Sequence, residues 1–241
     1  ILSEMQASID IGNSRIKVGI FNQQELVNTT IEDEQTLVPF LKSKQVDRAI
    51  ISSVENTHSI IGDLKKAIPG VLEFTTSTAM PMQTSYATPS TLGKDRLAAA
   101  VGALQHFSGP LLVIDAGTCI TCDLINANNI FMGGSISPGL NMRLKAMHTF
   151  TGRLPLLELE MPQETVPNST SQAMLAGAVI GAKHEIFGFI NHYKALFPEI
   201  KVILCGGDAN YFDKKNELRT FVLPNLVLEG LNAILRFNGD E

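Results

Sequence analysis

Apolar and polar positions along the chain alternate between two periods, one of strands and one of helices. Residues 7–11 form a short apolar run that closes on Asp10 and Ile11, and Gly12, Asn13 and Ser14 supply turn chemistry. Ile16, Val18 and Ile20 then alternate with Arg15, Lys17 and Gly19, the period of a half-buried strand. Residues 25–30 return as a third strand. The spacing of Leu37, Phe40 and Leu41 predicts a helix over 34–44. A β-branched strand over 48–54 and a helix over 57–68 follow, the helix stopped by Pro69-Gly70, and 71–75 reads as a further strand. Residues 76–94 break the regularity with a polar loop punctuated by Pro81 and Pro89. A loop of that length inside a compact domain is usually functional. An alanine-rich helix over 95–107 ends the first half.

The opening pattern then returns. A buried strand over 111–114 ends in Asp115, and Asp10-Ile11-Gly12-Asn13-Ser14 finds its counterpart in Asp115-Ala116-Gly117-Thr118-Cys119. A second strand, a turn and a third strand follow in both places. The separation is too long for a solenoid repeat. It predicts an α/β protein of two related halves, 1–109 and 110–241, facing each other. The second half continues through Gly133-Gly134-Ser135-Ile136-Ser137-Pro138-Gly139 into a helix ending near 149, then extended chain over 151–169. A long helix over 170–197, a strand over 201–205, a strand over 218–223 and a helix over 224–237 complete it, with Pro224 in the last helix's first turn.

Composition narrows the function. The chain has 241 residues, 44% hydrophobic and 18% charged, which is the make-up of a globular protein. Its formal charge of −5 leaves no basic excess for neutralising phosphates, which excludes a general nucleic-acid or anionic-membrane binder but not one local anion site. No apolar run approaches the roughly 20 residues of a membrane helix, and the first residues lack a basic stretch followed by an apolar one, so neither a membrane partner nor a secretory signal is expected. Cys119, Cys122 and Cys205 are an odd set, which points to a reducing, cytoplasmic setting.

The two Asp-x-Gly-[Asn/Thr] turns carry the first chemistry. One such turn is an ordinary hairpin. Two, at matching places in two α/β halves, make a clamp for nucleotide phosphates: backbone amides and hydroxyls cradle the anion, and the aspartates hold a cation or its waters. Lys17 is either an exposed strand lysine or a point charge on a transferred phosphate. In Gly93-Lys94-Asp95-Arg96, Asp95 is either a helix cap or a general base for a substrate hydroxyl, with Arg96 a fork for a carboxylate or phosphate. Cys119-Ile120-Thr121-Cys122 has redox or zinc spacing. It falls on a strand, however, which puts its thiols on opposite faces, so both read as small hydrophobes. The five histidines show no metal-ligand spacing. Gly177 and Gly181, among the alanines of the long helix, serve close internal packing or a subunit interface. Gly206-Gly207-Asp208 is a plain turn or a surface for a nucleoside.

Taken together, these segments resemble the type III pantothenate kinases over about residues 7–236. Asp10-Ile11-Gly12-Asn13-Ser14-Arg15-Ile16-Lys17 resembles the family's first phosphate motif, Gly93-Lys94-Asp95-Arg96 its Gly-x-Asp-Arg motif, and Asp115-Ala116-Gly117-Thr118 its second phosphate motif. The glycine-rich 133–139 stretch, Thr151-Gly152-Arg153-Leu154-Pro155, Asn168-Ser169-Thr170 and Tyr86 match further family segments. Cys119 stands where the family commonly has alanine, and Ala99 where asparagine is common. The resemblance implies two actin-like (ribonuclease H-like) halves with ATP in the cleft between them. It implies transfer of the ATP γ-phosphoryl group to pantothenate, giving 4'-phosphopantothenate, the first step toward coenzyme A. Asp95 would be the catalytic base. Residues 10–17 and Thr118 would bind ATP; Tyr86, Gly93, Lys94, Asp95, Arg96 and Thr170 would line pantothenate, Thr170 across a homodimer. Asp115 would hold a monovalent cation, K+ or NH4+, beside Mg2+. The rival readings are a kinase of another small hydroxylated substrate and a non-enzymatic regulatory relative.

Overall fold

The computed structural model describes residues 5–12, 15–53, 58–164, 166–212 and 220–239. Asn13, Ser14, the ends of the expected 48–54 strand and 57–68 helix, and the start of the expected 218–223 strand lie outside the described residues. The chain divides into two compact units.

The first unit comprises Ile1–Ser108, Asn129–Phe131 and Asn225–Glu241. Strands β1 (Met5–Ile11), β2 (Ile16–Asn22) and β3 (Glu25–Glu32) form two antiparallel hairpins. Helix α1 (Glu34–Ser43), strand β4 (Val46–Ser53), helix α2 (His58–Ala67) and strand β5 (Gly70–Glu73) then add two parallel strands, giving the order β3-β2-β1-β4-β5. The alternation read from the sequence is what buries one face: Ala7, Ile9, Ile11, Ile16, Val18 and Ile20 pack with Leu37 and Leu41 of α1 and Leu64 of α2. Asp33 caps α1, its side chain accepting from the N–H groups of Gln35 at 2.9 Å and Thr36 at 2.8 Å. The 76–94 loop is not structureless. Its β6 (Gln83–Thr84) pairs in parallel with Ile130 and Phe131, and a 3-10 turn at Pro89–Thr91 leads into α3 (Lys94–His106).

The second unit comprises Gly109–Asn128 and Met132–Pro224. It contains β7 (Leu111–Ala116), β8 (Cys119–Ile125), most of β9 (Ile130–Pro138), α4 (Leu140–Thr149), α5 (Thr170–Leu196), β10 (Lys201–Cys205) and β11 (Phe221–Val222). The six-stranded sheet runs β11-β10-β7-β8-β9-β6. Element by element this repeats the first unit, with β7, β8, β9, β10 and β11 in the places of β1, β2, β3, β4 and β5.

Three expectations shift. The C-terminal helix α6 (Leu226–Phe237) groups with the first unit rather than with residues 110–241. Its apolar face, with Leu226, Leu228, Leu231, Ile234 and Leu235 buried, lies against α3, where Gly102 and Gly230 let the backbones meet: a Cβ on Gly230 would fall 1.8 Å from the carbonyl oxygen of Ala98. Asn225, not Pro224, occupies the cap of α6. Finally, α5 is, by length and composition, the one helix among the described residues that could cross a membrane. It serves as a core helix: Met174, Leu175, Ala178, Val179, Ala182, Ile186 and Ile190 are buried in the second unit's apolar clusters, and Lys183, Glu185 and Lys194 interrupt its length.

Candidate active site

In the first unit, Asp10 stands near the carboxyl end of β1, across from Lys17 on β2 and Ser52 on β4. Carboxyl ends of strands in α/β sheets are where ligands gather. Burial first, and the Asp95 charge second, push the Asp10 carboxyl up to about 6, with Lys17 opposing both. Asp10, Lys17 and Asp95 therefore form one electrostatic group. At the hairpin tip the Gly12 N–H donates to the Arg15 carbonyl at 3.1 Å. Ile11 and Ile16 flank this hairpin but are buried in the core, so they can offer a ligand only main-chain groups. Arg15 is exposed.

Asp95 is not the cap of α3. Gly93 is, and Asp95 sits in the first turn with Oδ1 accepting from the Arg96 N–H at 2.9 Å. A Cβ on Gly93 would lie 2.5 Å from that same oxygen, so glycine leaves the carboxylate its position. Arg96 is 6% exposed. Its Cζ lies 5.6 Å from the Tyr86 ring centre and 5.7 Å from that of Phe131. Lys94 is half-buried beside them in sequence.

The second unit's hairpin is tighter. Asp115 pairs with Thr121 and Ala116 with Ile120, so one residue fewer separates the strands than in the first hairpin. The Gly117 N–H donates to the Cys119 carbonyl at 2.9 Å, and the Gly139 N–H to the Thr118 carbonyl at 3.1 Å. The 206–208 turn braces Asp115: the Asp208 N–H donates to the Ala116 carbonyl at 2.9 Å. Gly206, at φ +92°, could not carry a side chain there, since its Cβ would fall 2.3 Å from Asp115 Oδ1. Thr118 is exposed. Thr170 opens α5, where the Ser169 hydroxyl caps the helix by accepting from the Gln172 N–H at 3.4 Å.

The structure thus brings together Asp10, Lys17, Asp95, Arg96 and Tyr86 in the first unit, while Asp115, Thr118 and Thr170 belong to the second. Two contributors lie outside the motifs. Phe131 reads in the sequence only as a strand apolar; its contact with Arg96 depends on a fold that the alternation does not disclose. Arg143 on α4 pairs with Glu185 on α5 at 2.6 Å and donates through Nε to the Pro138 carbonyl at 2.8 Å, bracing the turn that holds Thr118. Cys119 and Cys122 lie on β8, and burial first of all pushes the Cys122 thiol up to about 12, which fits its reading as a small hydrophobe. Among the described residues no three His, Cys, Asp or Glu side chains cluster as a metal site. A divalent cation bound by one or two carboxylates and substrate phosphates needs no such cluster, and Asp10 is a donor of the right chemistry.

A duplicated α/β unit with a carboxylate hairpin in each copy defines the two-domain actin-like class of fold. Solved structures agree on the fold. One, described as a conserved candidate Baf-family transcriptional activator from Campylobacter jejuni, superposes with a TM-score of 0.65 at 22% identity, covering 98% of this chain and 100% of that one. A candidate N-acetylmannosamine kinase from Listeria monocytogenes gives 0.52 at 13% identity, covering 98% and 99%. The family model for type III pantothenate kinases matches residues 8–192, and the chain belongs to that family. Type III pantothenate kinases of Bacteroides fragilis and Flavobacterium johnsoniae are 41% and 36% identical, covering 97% and 98% of this chain and 98% and 100% of theirs.

Proposed function

We propose that the protein phosphorylates pantothenate with ATP, the first step of coenzyme A biosynthesis. The observation that carries the reading is the grouping of Asp10, Lys17 and Asp95 in one electrostatic neighbourhood, with Arg96 next to the base. The primary hydroxyl oxygen of pantothenate attacks the γ-phosphorus, the bond from that phosphorus to the β–γ bridging oxygen breaks, and ADP leaves. Asp95 accepts the hydroxyl proton. Arg96 pairs with the pantothenate carboxylate, and its planar fork suits that partner. Lys17 sets a point charge against the transferred phosphoryl group. Phosphoryl transfer asks mainly for positioning and charge compensation, and these residues supply both.

Mg2+ fits at Asp10 and a monovalent cation, K+ or NH4+, at Asp115; when bound they neutralise phosphate charge. The exposed face of α5, with Ala173, Gly177, Gly181 and Phe187, supports a homodimer in which Thr170 reaches the partner's substrate. The reaction belongs in the cytoplasm, where its ATP is made.

The test is incubation with pantothenate, ATP, MgCl2 and KCl, followed by mass spectrometry for phosphopantothenate. Asp95→Asn should lower kcat by orders of magnitude while nucleotide binding persists. Unchanged turnover would remove Asp95 from the base role. No product under any cation, with ATP still bound, would favour a different hydroxylated substrate or a regulatory relative.

A further inference from the structure

Strand β1 lies at the centre of the first unit's sheet. Its odd-numbered residues Ala7, Ile9 and Ile11 are apolar and pack with α1 and α2, as a covered central strand should. Its even-numbered residues Gln6 and Ser8 are polar, and they face α6. Two neighbours fix that direction. Gly19, opposite Ser8 on β2, lies where a Cβ would fall 3.3 Å from Leu228 Cδ1. Arg48, opposite Gln6 on β4, donates through Nη2 to the Leu235 carbonyl at 3.2 Å. Paired residues on neighbouring strands share a face. The stretch of α6 from Leu228 to Leu235 therefore covers Gln6 and Ser8, and Asn232 lies within it at helical spacing from both leucines. All of these residues belong to the first unit.

Gln6, Ser8 and Asn232 are 6%, 0% and 2% exposed. Gln6 Oε1, Ser8 Oγ and Asn232 Oδ1 are buried with no hydrogen-bond partner among the described residues. The Asn232 amide cannot turn over to relieve this, because its Nδ2 donates to the Gln23 carbonyl at 2.8 Å. Turning the Gln6 amide would only exchange an orphan acceptor for an orphan donor. Nor can the three oxygens satisfy one another: two are acceptors, and the Ser8 hydroxyl has one hydrogen to give. One helical turn beyond Asn232, Arg236 Nε is a buried donor in the same position. Leaving such a group dry costs more than an ordinary hydrogen bond contributes.

We propose that ordered water is bound between β1 and α6, in a site made by Gln6 Oε1, Ser8 Oγ and Asn232 Oδ1, with Arg236 Nε at its rim. Water both donates and accepts, which this mixed set of atoms requires. A metal ion does not suit the site, because its oxygens are uncharged and a guanidinium lies one turn away. The site is on the strand that carries Asp10, which is two residues beyond Ser8 on the same face. It ties α6 to that strand. Helix α6 in turn meets α3, the helix of Asp95, backbone to backbone at Gly102 and Gly230. The inference stands whatever substrate the protein phosphorylates.

The experiment is a high-resolution crystal structure of the wild-type protein, together with thermal midpoints of wild type, Ser8→Ala and Gln6→Met. The density should show at least one water within hydrogen-bond distance of two or more of the three oxygens. Each variant keeps the shape of the site roughly intact and deletes one of its oxygens. Each should lower the midpoint by about 2–4 °C, the loss of one net hydrogen bond in a chain of this size. A dry contact in the crystal, with the three oxygens bonded to protein groups instead, would overturn the proposal. So would a higher midpoint in both variants, since deleting a buried oxygen that has no partner removes a burden. Should either variant fail to fold, the wild-type density decides.

Discussion

Replacing Asp10 by asparagine should abolish turnover and yet stabilise the ligand-free protein at neutral pH. The carboxyl is pushed from 3.8 to about 6, by burial first and then by the Asp95 charge. A folded-state value above the unfolded one means the folded protein holds the proton more tightly. The associated stability is complete below pH 3.8 and is lost as pH rises through about 6. A displacement of about two units, at about 1.4 kcal/mol each, sets a ceiling of about 3 kcal/mol on the cost of the charge above pH 7. For a chain of this size each kcal/mol moves the thermal midpoint by about 2–4 °C. The midpoint of Asp10→Asn minus that of wild type should therefore climb between pH 4 and pH 7.5, by several degrees and at most about 12 °C. Taking the difference at each pH cancels the other titrating groups. Saturating ATP with MgCl2 should reverse the order, because only the carboxylate compensates bound cation charge. A difference independent of pH would refute the reasoning. So would a climb that survives in the Asp95→Asn background at full size and an equal one in Lys17→Met, since removing Asp95 must shrink the effect and removing Lys17 must enlarge it.

Other outcomes follow from the same coordinates. Gly93→Ala should fold, because the atom its Cβ meets is the end of the Asp95 side chain, but kcat should fall at least tenfold as that carboxylate turns aside; unchanged kcat would show the crowding to be harmless. Glu185→Ala should lower stability by about 2 kcal/mol, leaving Arg143 half-buried without its carboxylate, and should raise the KM for ATP; a loss of stability with no change in KM would separate the pair from the Thr118 turn. Thiol reagents should modify Cys119 first and spare Cys122 and Cys205 until the protein unfolds, with ATP slowing the Cys119 reaction; mass spectrometry of the labelled protein decides.

Much of this was legible in the chain because the signals are local. Strand period, the Asp33 cap and the Pro69-Gly70 stop act within a few residues, and the expected elements fall close to the observed ones. The duplication was readable because each copy repeats the same strand–turn–strand chemistry, and β9-β8-β7-β10-β11 repeats the order β3-β2-β1-β4-β5. What was not legible depends on pairings distant in sequence. Nothing near Leu226 says that α6 packs on α3 rather than with residues 110–224. Phe131 has the same apolar signature whether it faces core or guanidinium. The competition between cap and base at Asp95 could not be decided from a four-residue motif, because both roles favour aspartate near a helix start. The geometry removes the cap, and Gly93 takes that place.

The two hairpins also differ in one respect that bears on cation use. Asp10 faces Lys17 across its strand pair, whereas the residue opposite Asp115 is Thr121, uncharged and 8% exposed. Directly opposed residues share one face of a sheet, so the first hairpin carries its own cation and the second does not. On the proposal that a monovalent cation sits at Asp115, that ion takes in the second hairpin the place lysine takes in the first. Thr121→Lys should therefore install the missing charge. Its activity should depend less on KCl than that of wild type, and the rise in thermal midpoint that KCl gives wild type should shrink. Asp115→Asn should lose both responses by the opposite route, through loss of the site. A Thr121→Lys protein that folds and still needs KCl to the same degree, with its midpoint still rising by the same amount, would show that the lysine does not substitute for the ion.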